Sequence, residues 1–292
     1  MAGARQIVDP PAFTALPYGL WDTIQHPALP PHWQQGITWI ERCPTGDTTY
    51  DECLAVTGTG APPAPAAKTG NVEQTTRGAT PFTVYAEFEC SPVGLTDAAT
   101  VAEDALARVE QQQVEAAFWT GTAGGQTLVF PHLAADAEVL DAQGIVLQTA
   151  ASPVVTGADV AHALGELEAQ LAGCYAGQGI IHVPRQALPT LAAWGLVTER
   201  DGRLFTSAGN LVAVGGGYPG TAPDGTTPAA GTVWIYATGA AFGYRSDVSF
   251  TNVRDSLDRS ANTLSMIAER TYVLAFECCL LATHITLGVP TE

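Results

Sequence analysis

A chain of 292 residues can form one large domain or two small ones with a well-buried core, so it needs no disulfide or metal staple to fold. Its 12 basic residues face 29 acidic ones, a formal net charge of -17 that repels nucleic acid and anionic membranes and excludes a protein that grips phosphates. Charged residues are only 14 % of the chain, against roughly 25 % in ordinary soluble domains, which leaves a largely neutral surface of the kind that neighbouring molecules cover.

In chain order, residues 1–34 carry six prolines (Pro10, Pro11, Pro17, Pro27, Pro30 and Pro31) with Phe13, Leu16, Tyr18, Leu20 and Trp21 scattered among them. Proline holds the backbone extended and blocks helix and sheet interiors, so this segment is an arm, and its aromatics need a surface to lie on. GITWIERC, Gly36 to Cys43, alternates Ile37, Trp39 and Glu41 with Thr38, Ile40 and Arg42, which is strand patterning. FTVYAEFEC places Phe82, Val84, Ala86, Phe88 and Cys90 on one face and is expected to be its partner strand. The stretch between them has almost no large apolar groups, which predicts a long projecting hairpin tip or a flexible loop. Two strands alone are barely stable in water, so the hairpin must rest on something.

A helix is expected after Leu95, with Thr96 and Thr100 as competing N-caps and Glu103 as the capping-box partner of Thr100. Its apolar side reads Ala98, Val101, Ala102, Ala105, Leu106, Val109, Ala116 and Ala117, mostly small residues that allow close approach to a sheet. Within it, VEQQQVEAAFWTG puts three glutamines, which read as a solvated face, just ahead of Phe118 and Trp119. A second amphipathic helix follows Thr156, with Val160, Leu164, Leu167, Leu171 and Cys174 on one face and Gly177 as its stop. GIIHVP reads as a buried strand, RQALPTLAAWGLV as a short helix and TVWIYATG as a strand after a glycine-rich loop. RTYVLAFECCLLATHITLG is read as one long central strand, apolar on both faces. Without a regular βαβ repeat, the pattern is that of an α+β protein.

Candidate chemistry is sparse. AVGGGYPG lacks the Gly-Lys-Ser/Thr ending of a phosphate loop and reads as a turn or mobile loop. His182 and His284 stand in apolar strands with no G-x-S-x-G elbow to partner them, and read as hydrogen-bonded structural residues. Glu87 and Glu89 share a strand face and could in principle form an acid/base couple, although a solvated strand face explains them as well. The six cysteines (43, 53, 90, 174, 278 and 279) form no CxxC pair, and no histidine stands at metal-ligand spacing, so neither zinc nor another cofactor is expected. Cys278 and Cys279, being adjacent, point to opposite faces and read as small core residues. The N-terminus lacks the apolar region of a secretion signal and no run of about 18 apolar residues occurs. Free thiols in a reducing cytoplasm are therefore expected, at least until assembly.

Taken together, the proline-rich arm, the long hairpin, the helix ending in AAFWTG, GIIHVP, GGGYPG, IYATG and AERTYVLAFECC, in that order, resemble the major capsid proteins of tailed bacteriophages with the HK97 fold. The similarity covers nearly the whole chain and rests on segment order and short matches rather than one diagnostic motif. It implies an N-terminal arm (1–34), an extended E-loop (35–91), a peripheral domain (92–155) whose spine helix runs from Leu95 to Trp119, an axial domain (156–240) and a peripheral return strand (241–292). It also implies a structural role without catalysis or cofactor: homo-hexamers and homo-pentamers tile an icosahedral shell around double-stranded DNA, each E-loop lying over a neighbour and each arm running under another. Expected partners are copies of the chain itself, with scaffolding, portal and decoration proteins. DNA is met only by non-specific proximity and no membrane is involved. The expected location is the virion, after assembly in the host bacterial cytoplasm. Nothing at the N-terminus resembles the long charged scaffolding segment that some relatives remove, so no such cleavage is expected.

The residues expected to matter for structure and assembly are Trp21, Trp39, Phe118, Trp119 and Tyr218, with the glutamines of the spine helix on one face of the shell. Some relatives weld their shells by joining an E-loop lysine to a neighbour's asparagine. Here the only lysine, Lys68, is flanked by small polar residues that build no dry pocket, and Asn252 or Asn262 would have to supply the partner. An exposed, charged Lys68 is expected instead. Two other readings stand beside this one: an encapsulin, which shares the fold, encloses cargo protein and has a less elaborate E-loop and arm, and a cytoplasmic hydrolase built on His182 or His284.

Overall fold

A computed structural model describes residues 11–43, 75–90, 98–154, 159–250, 257–258 and 263–288. Lys68, Asn252, Asn262 and Thr96 lie outside the described residues. The fold is α+β, built on two main sheets joined by one helix end. Among the described residues no helix is long and apolar enough to cross a membrane.

The first main sheet is organised by a single long strand, Thr263–Phe276, which pairs antiparallel with Phe82–Cys90, Ala241–Arg245, Ser249–Phe250 and Leu257–Asp258. Helix α2 (Ala98–Thr120), about 35 Å long at 1.5 Å per residue, covers one face of this sheet. There Phe82, Val84, Met266, Ala268, Tyr272 and Leu274 meet Ala102, Leu106, Val114, Ala117 and Phe118 in one cluster. Because side chains alternate along a strand, Val273 and Ala275 point the other way and pack with Trp33 and Ala79, so the strand is covered on both faces as its sequence implies. The buried stripe of α2 is narrower than its pattern suggests: Val101 and Val109 are exposed, and the helix turns its smaller and C-terminal apolar residues inward.

The hairpin differs from expectation. Ile37–Ile40 pairs with Thr76–Ala79, in register Ile37 to Ala79, whereas Phe82–Cys90 pairs with the long strand. Pro81 stands between the two segments, and with no N–H to donate it interrupts the ladder. Alternation correctly gave the faces of both strands but carries no information on partners.

The second main sheet has seven strands, in the order Val197–Arg200, Arg203–Thr206, Leu211–Gly215, Ile180–Pro184, Thr232–Thr238, Leu280–Thr286 and Ser152–Pro153. Helix α3 (Val160–Tyr175), capped by Asp159, whose carboxylate accepts from the His162 N–H at 2.8 Å, lays Leu164, Leu167 and Leu171 on Ile181, Val183, Val233 and Ile235. Its left-handed stop is Ala176 at φ 57° rather than Gly177. Ile180–Pro184 is buried throughout.

The chain end is two strands, not one. Thr263–Phe276 belongs to the first sheet and Leu280–Thr286 to the second, with a crossing at Glu277–Cys279 where Cys278 adopts φ 60°. An unbroken apolar run hides such a crossing, because both halves are central in their own sheets. The structure shows Cys278 bonded to Cys43 and Cys279 to Cys174, where free thiols are expected until assembly. The two adjacent side chains do point to opposite sides, and each meets a different partner.

Candidate functional site: a clasp for the arm at the end of helix α2

The polar middle and apolar end of α2 have separate tasks. At the end, Trp119 is wholly buried between the two sheets, with ring centroids 4.8 Å from Tyr236 and 4.9 Å from Tyr218. Its Nε1–H donates to Thr221 Oγ1 at 3.0 Å. Phe118, one residue earlier, turns to His182 at 5.7 Å and Phe276 at 6.2 Å. The pair thus wedges α2 against residues of both sheets. Gly121, at φ +72°, ends the helix by donating to Ala117 O at 2.9 Å.

In the middle, Gln111 is half-buried and reads the backbone of the arm. The Leu16 N–H donates to Gln111 Oε1 at 2.9 Å, and Gln111 Nε2 donates back to Leu16 O at 3.1 Å. A single primary amide satisfies both backbone groups of one extended residue, as a neighbouring strand would. One helical turn on, the buried Glu115 carboxylate accepts from Leu20 N–H at 3.3 Å, Gln111 Nε2 at 3.2 Å and Gly217 N–H at 2.9 Å. Arm, helix and glycine loop therefore meet at one carboxylate. Burial pushes the Glu115 carboxyl above its ordinary range, while the donors at Gly217, Gln111, Leu20 and Gly216 pull it back.

The rest of the arm lies on the same chain. Val214 N–H donates to Tyr18 O at 2.7 Å, Arg185 to Pro17 O at 2.9 Å, and Gln25 exchanges backbone hydrogen bonds with Ala241 and Gly243. Helix α1 (Leu20–Thr23) buries Leu20, and Ile24 follows it inward. Trp21, half-buried, stacks on His26 at 4.2 Å and lies under Arg245 at 4.8 Å. The arm sequence calls for a surface, and from Leu16 to Gln25 that surface is its own subunit. The expectation of a solvated glutamine face holds for Gln112 and Gln113, not for Gln111.

Beneath the loop lies a closed polar chain. His182 is fully buried between Tyr218 and Thr238, at 3.2 Å from Tyr218 Oη and 3.0 Å from Thr238 Oγ1. Thr238 sends its hydroxyl hydrogen to Gly239 O at 3.0 Å, so it accepts from His182 Nε2–H, and Nδ1 accepts from the Tyr218 hydroxyl. Desolvation pushes the imidazole down to about 3 and the phenol upward, which keeps both neutral. This is the structural histidine the sequence implies. His284, half-buried against Trp234 at 5.5 Å, also sits in packing.

The five residues expected to matter thus divide. Phe118, Trp119 and Tyr218 are core residues around this junction, Trp21 fastens the arm, and Trp39 packs edge-on against Phe242 at 5.4 Å at the hairpin base. Sequence reasoning missed Gln111 and Glu115. Their only signal is spacing, since positions four apart share a helix face.

Gln111→Ala is expected to free residues 11–16 while leaving the core intact. Hydrogen exchange should speed at Leu16 by at least about tenfold, the loss of roughly 1.4 kcal/mol of local protection. Unchanged exchange would show that the amide does not hold the arm. Glu115→Gln tests the charge. A carboxyl raised by folding contributes stability below its unfolded value, near 4.5, and loses it as pH climbs through the folded value. The urea midpoint of wild type relative to Glu115→Gln should therefore fall as pH rises above 4.5. A rising difference would reverse the assignment.

No family model matches the sequence, and no curated protein does. Solved structures match over almost the full length. They include Gordonia phage Cozz, 11 % identical with a TM-score of 0.54 over 99 % of this chain and 92 % of that one. The capsid of a native GTA particle computed with C5 symmetry is 10 % identical, with a TM-score of 0.54 over 98 % of this chain and 95 % of that one. The capsid of Ralstonia phage GP4 is 9 % identical, with a TM-score of 0.52 over 100 % of this chain and 97 % of that one. At such identities the likeness lies in backbone arrangement, and it embraces both sheets, α2 and the arm together: this chain has the fold of phage capsid proteins.

Proposed function

We propose that the chain is the structural subunit of an icosahedral phage shell, assembling as hexamers and pentamers around double-stranded DNA. The observation that supports this reading is the near-complete mutual coverage with capsid structures. In this reading α2 is the spine helix, the five-stranded sheet is the peripheral domain, and the seven-stranded sheet, rejoined by Leu280–Thr286, is the axial domain. The strands Ile37–Ile40 and Thr76–Ala79 form the base of the E-loop. Exposed Ile40, Tyr85, Leu128 and Leu140 are apolar surface for neighbouring subunits to cover. The net charge of -17 keeps packaged DNA from adhering to the wall.

Electron microscopy of the purified protein tests the reading. Closed icosahedral shells that hold DNA when isolated from a lysate of the producing phage are expected. Shells packed with protein cargo would assign the encapsulin role instead, and dispersed monomers at all concentrations would overturn the proposal.

A further inference from the structure

The dipeptide Cys278–Cys279 occupies the point where the chain crosses from one main sheet to the other, and each of its sulfurs is bonded to a different part of the fold. Cys43, which follows the Ile37–Ile40 strand at the hairpin base, reaches Cys278 with Cα atoms 5.4 Å apart. Cys174, in the last turn of α3, reaches Cys279 at 6.1 Å. Both spans fall within the range a disulfide bridges without moving the backbone. The bonds join segments 235 and 105 residues apart in sequence.

The crossing is held in place by contacts that do not involve sulfur. The Cys278 N–H donates to Glu41 Oε1 at 2.6 Å, while Arg77 Nε donates to the other oxygen of the same buried carboxylate at 2.9 Å. Glu277 N–H donates to Ala240 O at 2.9 Å. Cys278 has left-handed backbone, and the two neighbouring side chains reach different partners. Contacts that involve no sulfur therefore hold the backbone of the crossing at which the two bonds meet. Cys43, Cys174 and Cys278 are half-buried, within reach of small thiols and disulfides.

We propose that Cys278–Cys279 is a redox-set double clasp, open as thiols in the producing cell and closed after release, that locks the hairpin base and helix α3 onto the crossing between the sheets. The timing rests on the shell reading above, since it requires assembly in a reducing cytoplasm. The oxidant is a low-molecular-weight disulfide. In each closure one protein thiolate attacks it, releasing one small thiol and leaving a mixed disulfide. The partner thiolate then attacks that bond, releasing the second small thiol. Two small disulfides are reduced to four small thiols as four cysteine S–H bonds become two S–S bonds.

The test compares protein made in a reducing cytoplasm, with N-ethylmaleimide present at lysis, with the same preparation first incubated with oxidised glutathione. Peptide mass mapping should find residues 43, 174, 278 and 279 alkylated in the first sample, and the 43–278 and 174–279 pairs in the second. Closure should raise the melting midpoint by about 5 °C or more, a shift abolished in the Cys43→Ser/Cys174→Ser double variant. Cys279→Ser should keep the 43–278 bond alone. Bonds already closed at lysis, a vicinal 278–279 bond, links between subunits, or an unshifted midpoint would overturn the proposal. So would one zinc ion per reduced chain that is lost in Glu41→Gln, which would make Glu41, Cys43 and Cys278 a metal centre. Imaging each sample separates failure of the clasp from failure of the shell reading, because shells form or fail to form whatever the state of the sulfurs.

Discussion

Trp119→Ala is expected to destabilise the subunit by about 3 to 5 kcal/mol and to remove most of the soluble protein. The indole is wholly buried where α2 meets both sheets, so the chain on either side cannot collapse into the space it leaves. Its loss also withdraws the ring partner of Tyr218 and Tyr236, worth about 0.5 to 1.5 kcal/mol per aromatic pair beyond area, and orphans the acceptor side of Thr221 Oγ1. Whole domains are stable by only about 5 to 15 kcal/mol, so the loss approaches the stability available. Trp119→Phe separates the two contributions. It keeps most of the apolar volume and loses the N–H, and should cost about 1 to 2 kcal/mol. Urea midpoints of both variants, read by near-ultraviolet circular dichroism, check the ordering. If Trp119→Ala unfolds at the wild-type midpoint, the indole is not the wedge between the sheets.

What was legible in the sequence follows from what one-dimensional patterns encode. Period two in FTVYAEFEC and period 3.6 in Val160 to Leu171 report which side of an element faces the core, and both are correct in the structure. The same patterns say nothing about which element supplies the core. GITWIERC therefore received the wrong partner, and one apolar run concealed two strands in two sheets. Cysteine pairing failed for a related reason: Cys43 and Cys278 approach because Ile37–Ile40 packs by way of Trp39 against strands that follow residue 240, a contact of high sequence separation. The buried histidine was legible because an imidazole amid Ile, Val and Pro can stay only if neutral and hydrogen-bonded. Gln111 was not, because a glutamine that binds solvent and one that binds the backbone of a distant arm have the same local sequence.

Gly217→Ala should be the most damaging small change in the glycine-rich loop, at about 3 kcal/mol or more. A Cβ there would stand 2.0 Å from Gln112 O, 2.9 Å from Gln112 C and 3.0 Å from Ala116 N. All three are backbone atoms inside α2, tied into its hydrogen-bond ladder, so the helix does not yield and the loop must withdraw. Withdrawal breaks the Gly217 N–H bond to Glu115 Oε2 and leaves a buried carboxylate with fewer donors. It also pulls on the adjacent Tyr218, whose hydroxyl serves His182 and whose ring packs on Trp119. Gly216→Ala is the internal control. Its Cβ would meet Leu16 Cδ1, the end of an exposed side chain that can turn aside, at 3.2 Å, and Glu115 Oε2 at an ordinary contact distance of 3.9 Å, and should cost less than about 1 kcal/mol. Because Glu115 also holds the arm at Leu20, the Gly217 variant should expose residues 11–20 to protease as well as lower the melting midpoint. Equal midpoints for the two alanine variants would show that the loop does not press on α2, and would remove the steric reason for glycine at position 217.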